Sequence, residues 1–193
     1  MDVSQLVSLF LSLQEQGACN INLVSPTPYL NTLVPALEES KKAGLSIPIV
    51  FNSGGYENAE SLKYLEGLVD IYLPDFKFHS KELSMRYAKA DDYAVHALSA
   101  IKEMVRQTGT PFFQGEYLKK GVIIRHLVLP GQRKDSIACL RRLAEILPVS
   151  DIRLSLMSQY TPFGNVETMK ELSRPITARE YQTVVDTAFE LGI

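Results

Sequence analysis

VDIYLPDFKF, Val69–Phe78, is a short apolar run that ends abruptly in Pro74, Asp75 and Lys77. Four of its first five residues are apolar and turn chemistry bounds it, the pattern of a buried parallel strand with polar groups just past its carboxyl end. Parallel α/β sheets place their ligand chemistry at that end. Asp75 and Lys77 stand two apart in extended chain, so both project to the same side. A carboxylate and an ammonium so placed can hold a charged ligand.

The flanking sequence repeats this pattern. Asn20–Val24 (NINLV) reads as a strand running into SPTP, where two prolines forbid further pairing. Ile47–Phe51 (IPIVF) runs into Asn52, Ser53, Gly54 and Gly55; Gly121–Leu129 (GVIIRHLVL) runs into Pro130 and Gly131; Ile152–Met157 runs into Ser158, Gln159 and Tyr160. Helical periodicity fills the intervals: 3–13, 29–42, 57–67, 79–89, 91–107, 133–147 and 178–191. Asp2 caps the first helix, and Thr177 with Glu180 forms a capping box on the last. Ala94, Val95, Leu98, Ile101 and Val105 are the expected buried stripe of the 91–107 helix. The order is one helix followed by repeated β-α units, which predicts a single α/β domain over residues 1–193, built as part of a parallel (β/α) barrel. Five strands are too few to close an eight-strand barrel.

Charge excludes some partners. Twenty basic residues against 22 acidic ones, with no basic run, give nucleic acid and anionic membranes no electrostatic footprint. The longest apolar stretches are too short to cross a bilayer and no secretory signal pattern opens the chain, so a cytoplasmic location is expected. Cys19 and Cys139 have no metal-ligand spacing and read as buried small hydrophobes. His79 and His96 read as surface residues, and no metal site is expected from the residues present.

In a parallel barrel the residues that follow the strands converge on one rim. They are Ser25 and Thr27, Asn52 and Ser53, Asp75 and Lys77, Arg125 and His126, then Gln159 and Tyr160. Serine, threonine, asparagine and proline are also ordinary turn residues. A structural ion pair is the plain alternative for Asp75 and Lys77. Arg125 and His126 are strand neighbours, so alternation sends one inward and the other outward. Gly54–Gly55 matches no phosphate-loop pattern.

Six segments together resemble the radical S-adenosylmethionine (SAM) superfamily, specifically the pyruvate formate-lyase activating enzyme and its homologues. They are LQEQGACNINLVSPTP (13–28), IPIVFNSGGY (47–56), VDIYLPDFKF (69–78), EMVRQTG (103–109), GVIIRHLVLPG (121–131) and LSLMSQYTPFG (154–164), in family order. The resemblance implies a partial (β/α)6 barrel that binds SAM across the carboxyl ends of its strands. Ser25 and Thr27 stand where the family holds the methionine amino group, although SPTP replaces the usual Gly-Gly-Glu. Asn52 matches a position that is often an aspartate near the methionyl group or a bound cation, and Ser53 beside it is a further candidate cofactor contact. Asp75 and Lys77 match an Asp-x-Lys motif whose lysine meets the SAM carboxylate. His126 corresponds to the strand flanking ribose and adenine, and Gln159 faces the cofactor from the last strand.

The family's Cys-x3-Cys-x2-Cys motif, which binds a [4Fe-4S] cluster, is absent. By the resemblance the chain corresponds to strands two to six, the first strand missing. In the family the reduced cluster cleaves SAM to a 5′-deoxyadenosyl radical, which abstracts hydrogen from a glycine of a glycyl-radical enzyme, with flavodoxin as an electron donor. The expectation is therefore an oxidoreductase of the activating type seen as an incomplete, inactive chain, with weak or absent SAM binding. One alternative is a SAM-binding pseudo-enzyme or interaction module, for which micromolar SAM affinity is the discriminating observation. Another, which ignores the family, is an aldolase-type barrel with Lys77 as a Schiff-base lysine and Asp75 as proton shuttle.

Overall fold

The computed structural model describes residues 1–164 and 169–193. Helix α1 (Val3–Glu15) opens on the Asp2 cap, whose carboxylate accepts the Gln5 N–H while the Gln5 side chain accepts from the Asp2 N–H. Strand β1 (Ile21–Val24) follows, then a 3₁₀ turn (Thr27–Tyr29) and α2 (Leu30–Lys42), which accommodates Pro35 inside the helix. Strand β2 (Ile49–Ser53) is followed by α3 (Ala59–Leu62), which tightens into a 3₁₀ turn at Lys63–Leu65. Next come β3 (Ile71–Pro74), α4 (Lys81–Ala88) and α5 (Tyr93–Thr108). The remaining elements are β4 (Phe112–Gln114), β5 (Tyr117–Leu127), α6 (Arg133–Ile146), β6 (Ile152–Met157) and α7 (Ala178–Leu191).

Strands β1, β2, β3, β5 and β6 lie side by side in chain order and all run parallel, the singly wound order of an α/β barrel left open. The sequence reading missed one strand. β4 pairs antiparallel with the first residues of β5, so the fourth expected strand begins at Tyr117 as one arm of a hairpin. The β3–β5 register holds at Ile71↔Gly121 and Tyr72↔Val122 and resumes at Asp75↔Arg125 with the same offset. Pro74, lacking an N–H, interrupts the ladder between them.

Alternation divides the sheet into two faces. Ile49, Phe51, Tyr72, Val122 and Ile124 are buried under the helices together with Leu37, Leu62, Ile101 and Met104. The α5 contribution is Tyr93, Ala97, Ala100, Ile101, Met104 and Val105; Val95, expected in that stripe, is 71% exposed. Each fully buried large side chain contributes roughly 1.5–3 kcal/mol by area transfer, so this face dominates the stability. The other face carries Asn22, Asn52, Asp75, Arg125 and Arg153, none of them buried. Helices cover one face, and the polar groups collect on the other.

Candidate ligand-binding site

The site is built on β2, β3 and β5 at their carboxyl ends. Asp75 is fixed by backbone pairing on both sides: its N–H donates to Ser53 O at 3.0 Å, and the next amide, Phe76, donates to Arg125 O at 2.9 Å. Register then sets Arg125 beside Asp75. Arg125 Nε donates to Asp75 Oδ1 at 2.8 Å, and Arg125 Nη2 donates to Asn52 Oδ1 at 2.8 Å. One guanidinium thus ties the ends of three neighbouring strands through its rigid fork.

Lys77 approaches the same carboxylate from the opposite side, with Nζ 3.4 Å from Asp75 Oδ2. The separation marks a looser pair than the 2.8 Å contact from Arg125, and the lysine side chain is 46% exposed. Two cations share one carboxylate, which leaves this corner with a net positive charge directed at solvent. Arg125 is committed to its two oxygen partners. Among the described residues of this corner, Lys77 is the more loosely held cation and the one exposed to an incoming anion.

Asp75, Lys77, Arg125 and Gln159 line a cavity of about 350 Å³ whose remaining wall is Phe78, Leu127, Leu129 and Met157. A net cationic end and an apolar wall suit a ligand that carries an anionic group at one end and apolar surface at the other. The loop after β2 closes against the charged end. A Cβ on Gly55, at φ +80°, would lie 1.9 Å from Asp75 O. Only glycine lets these two loops touch, a requirement of packing and not of ligand approach.

The sequence candidates separate accordingly. Asn52, Asp75, Lys77 and Gln159 are brought to one cavity or to the network that lines it. Ser53 is buried on the helix face, where its hydroxyl accepts the Gly55 N–H at 3.2 Å. Ser25 sits at the end of β1 with φ +50°, a left-handed conformation uncommon for serine, and its N–H donates to Asn52 O at 2.8 Å. Thr27 donates to Glu57 Oε2 at 2.6 Å, which joins the first two loops of the rim.

His126, expected beside the ligand's ribose and adenine, is turned the other way. It is 1% exposed, with Nδ1 2.6 Å from Phe76 O and Nε2 without a partner among the described residues. Donation to the carbonyl places its proton on Nδ1, and burial holds its pKa below the usual histidine value. Its neighbour Arg125 takes the place at the rim. Tyr93, buried behind the loops that follow β2 and β3, and Glu57, bonded to Thr27, support the rim without having been read from the sequence. Cys139 is buried as expected, and burial pushes its thiol pKa well up. Cys19, also expected to be buried, is exposed at the opposite, amino-terminal end of the strands, in a cleft lined by Asn20, Pro48, Ile71 and Tyr117.

No family model matches the chain. An uncharacterised protein of Methanocaldococcus jannaschii is 28% identical to it over 173 residues, covering 88% of this chain and 46% of that protein. The chain thus spans about half the length of the curated relative it matches. Among solved structures, a domain of pyruvate-formate lyase-activating enzyme from Bacteroides vulgatus superposes with a TM-score of 0.57 at 12% identity, over 92% of this chain and 96% of that one. At that identity the likeness shows the fold alone: a mostly parallel α/β sheet with its helices.

Proposed function

We propose that the chain binds SAM across the carboxyl ends of its strands, as the SAM-binding part of a radical SAM enzyme of the activating type. The observation that carries this reading is the Asn52–Arg125–Asp75–Lys77 cluster, set at one end of a cavity with an apolar wall. Lys77 would hold the ligand carboxylate, Asp75 would face its ammonium, and Leu127, Leu129 and Met157 would shield its adenosyl part from water. Bound SAM supplies a sulfonium centre with an activated carbon–sulfur bond. The fold shared with an activating-enzyme domain supports the same reading; on that reading the partner would be a glycyl-radical enzyme and the electron donor flavodoxin.

The residues present do not fit the iron–sulfur cluster of that family. A cluster needs three thiolates converging on one point, and the two cysteines lie one at the amino-terminal end of the sheet and one buried in α6. Among the described residues no group of three histidine, cysteine or acidic side chains is arranged to hold a metal. These residues support binding of SAM and offer no ligand set for a cluster among the described residues. The Schiff-base alternative has less behind it. Lys77 is half-exposed and its ammonium pairs with the Asp75 carboxylate, whereas an imine-forming lysine works desolvated, where its uncharged form is favoured.

Isothermal titration of the chain with SAM tests the proposal. Saturable binding is expected, and Lys77→Ala should weaken it about tenfold or more, since a charge-assisted hydrogen bond contributes roughly 1.5–3 kcal/mol. Absence of saturable SAM binding by the unaltered chain, or indifference to Lys77→Ala, would sink it.

A further inference from the structure

Tyr93 lies outside the cavity, yet its hydroxyl meets three backbone groups of the two loops that shape the charged end. It is the first residue of α5 and is 3% exposed. Its ring stacks on Tyr56 and Phe76, with centroids 5.9 and 6.4 Å away, and lies edge-on to Phe78 at 5.8 Å. The Lys77 N–H donates to its oxygen at 3.0 Å, while Asp75 O and Gly54 O lie at 2.9 and 3.0 Å. A phenol has one proton, so it accepts from Lys77 and shares its own donation between the two carbonyls. Burial raises its pKa, which keeps that proton in place across the neutral range.

The consequence is geometric. Asp75 and Lys77 carry the charges of the site, and the same oxygen grips the carbonyl of one and the amide of the other. Gly54, from the adjoining loop, is held to it too, and a Cβ there would lie 3.6 Å from Lys77 Nζ. We propose that Tyr93 is the positioning residue of the site: its hydroxyl sets the turn Asp75–Phe76–Lys77 against Gly54, and thereby aims the lysine ammonium at the carboxylate of an amino-acid-bearing ligand. This rests on the SAM reading given above. Tyr93 touches no ligand, and its effect reaches the ligand only through Lys77.

Tyr93→Phe keeps the ring and removes the grip. The probes are SAM and 5′-methylthioadenosine, which keeps the nucleoside and lacks the amino acid. The expected result is a loss of about tenfold in SAM affinity with 5′-methylthioadenosine binding unchanged, the same selectivity as Lys77→Ala, and a double variant no worse than about the weaker single one, because both act on one contact. An equal loss for both probes means a general structural role and overturns the proposal; so does no loss for either. If Lys77→Ala weakens SAM while Tyr93→Phe does not, the positioning role fails and the SAM reading survives. If neither the unaltered chain nor its variants respond to SAM, both fail together. Should Tyr93→Phe not fold, 3,5-difluorotyrosine at position 93 keeps the shape and alters the hydroxyl's hydrogen bonding. It should then change the ratio of SAM to 5′-methylthioadenosine affinity, and an unchanged ratio overturns the proposal.

Discussion

Two adjacent side chains on β5 do opposite work. Arg125 spends its guanidinium on Asp75 and Asn52, while His126 is sealed beneath the helices with one nitrogen unpartnered among the described residues. A histidine whose folded pKa is depressed by burial favours the unfolded state when protonated. The sign follows: between the folded and the unfolded pKa the unfolded chain binds the extra proton, so stability is complete above the ordinary value of about 6.5 and declines as pH falls below it. In urea titrations from pH 8 to 5, the unaltered protein should lose stability below about pH 6.5 with a limiting slope of about 1.4 kcal/mol per pH unit. His126→Phe should flatten that slope, and a slope unchanged by the substitution would assign the acid sensitivity to other groups. Asp75 and Lys77 were legible in the sequence because an apolar run stops just before them. Arg125 and His126 were legible only as a pair. Alternation says that they diverge, but the choice between them needs the Asp75↔Arg125 register, which is a long-range property of the sheet.

Among the elements, α7 shows how a local signal acquires a tertiary role. Thr177 and Glu180 form the capping box read from the sequence, with the Glu180 N–H donating to Thr177 Oγ1 and the Thr177 N–H donating to Glu180 Oε2. The same carboxylate also accepts the Gly131 N–H at 2.8 Å and pairs with Arg174 at 2.8 Å. It thus joins the helix to the loop after β5, two residues from Leu129 in the cavity wall. Arg174 first, and the backbone donors after it, hold its pKa below the usual carboxylate range. A depressed carboxylate contributes stability above its ordinary pKa near 4.5 that is lost as pH falls below it. Glu180→Gln should lower Tm at neutral pH by roughly 2–6 °C, corresponding to about 1–2 kcal/mol, and the difference from the unaltered protein should shrink toward pH 3. A difference constant with pH would mean that the charge is irrelevant. The β4–β5 hairpin illustrates the converse. Its turn is Gly115–Glu116, with Gly115 at φ +62°, between aromatic residues on both arms. A glycine between Phe113 and Tyr117 was the available signal. It was outweighed because the longer apolar run from Gly121 read as a complete strand.

Across the whole molecule, the two ends of the sheet are chemically different. Ile71 lines the cleft that holds Cys19, while Asp75, four residues along the same strand, lines the proposed SAM cavity, so the two lie about 13 Å apart at strand rise. The fold order, and the end of the sheet at which the polar cavity lies, were both readable from strand punctuation. The exposure of Cys19 was not: its position just before β1 places it at the amino-terminal end, but whether anything packs over it there is a tertiary property. A thiolate at the amino-terminal end cannot approach a ligand held at the carboxyl end without unthreading β1 from β2, which would break the parallel pairing Ile21↔Ile49 to Val24↔Asn52. Cys139 is further excluded by burial that keeps it as the thiol. Anaerobic incubation of this chain with ferrous iron and sulfide should therefore yield no cysteinate-to-iron absorption band and no cluster signal in the reduced sample by electron paramagnetic resonance. SAM affinity should be the same before and after that treatment. Under native conditions iodoacetamide should label Cys19 and spare Cys139 until the chain is unfolded. A stoichiometric cluster, or protection of Cys19 by iron, would overturn the assignment of these two cysteines to opposite structural fates and would require a sheet opened at β1.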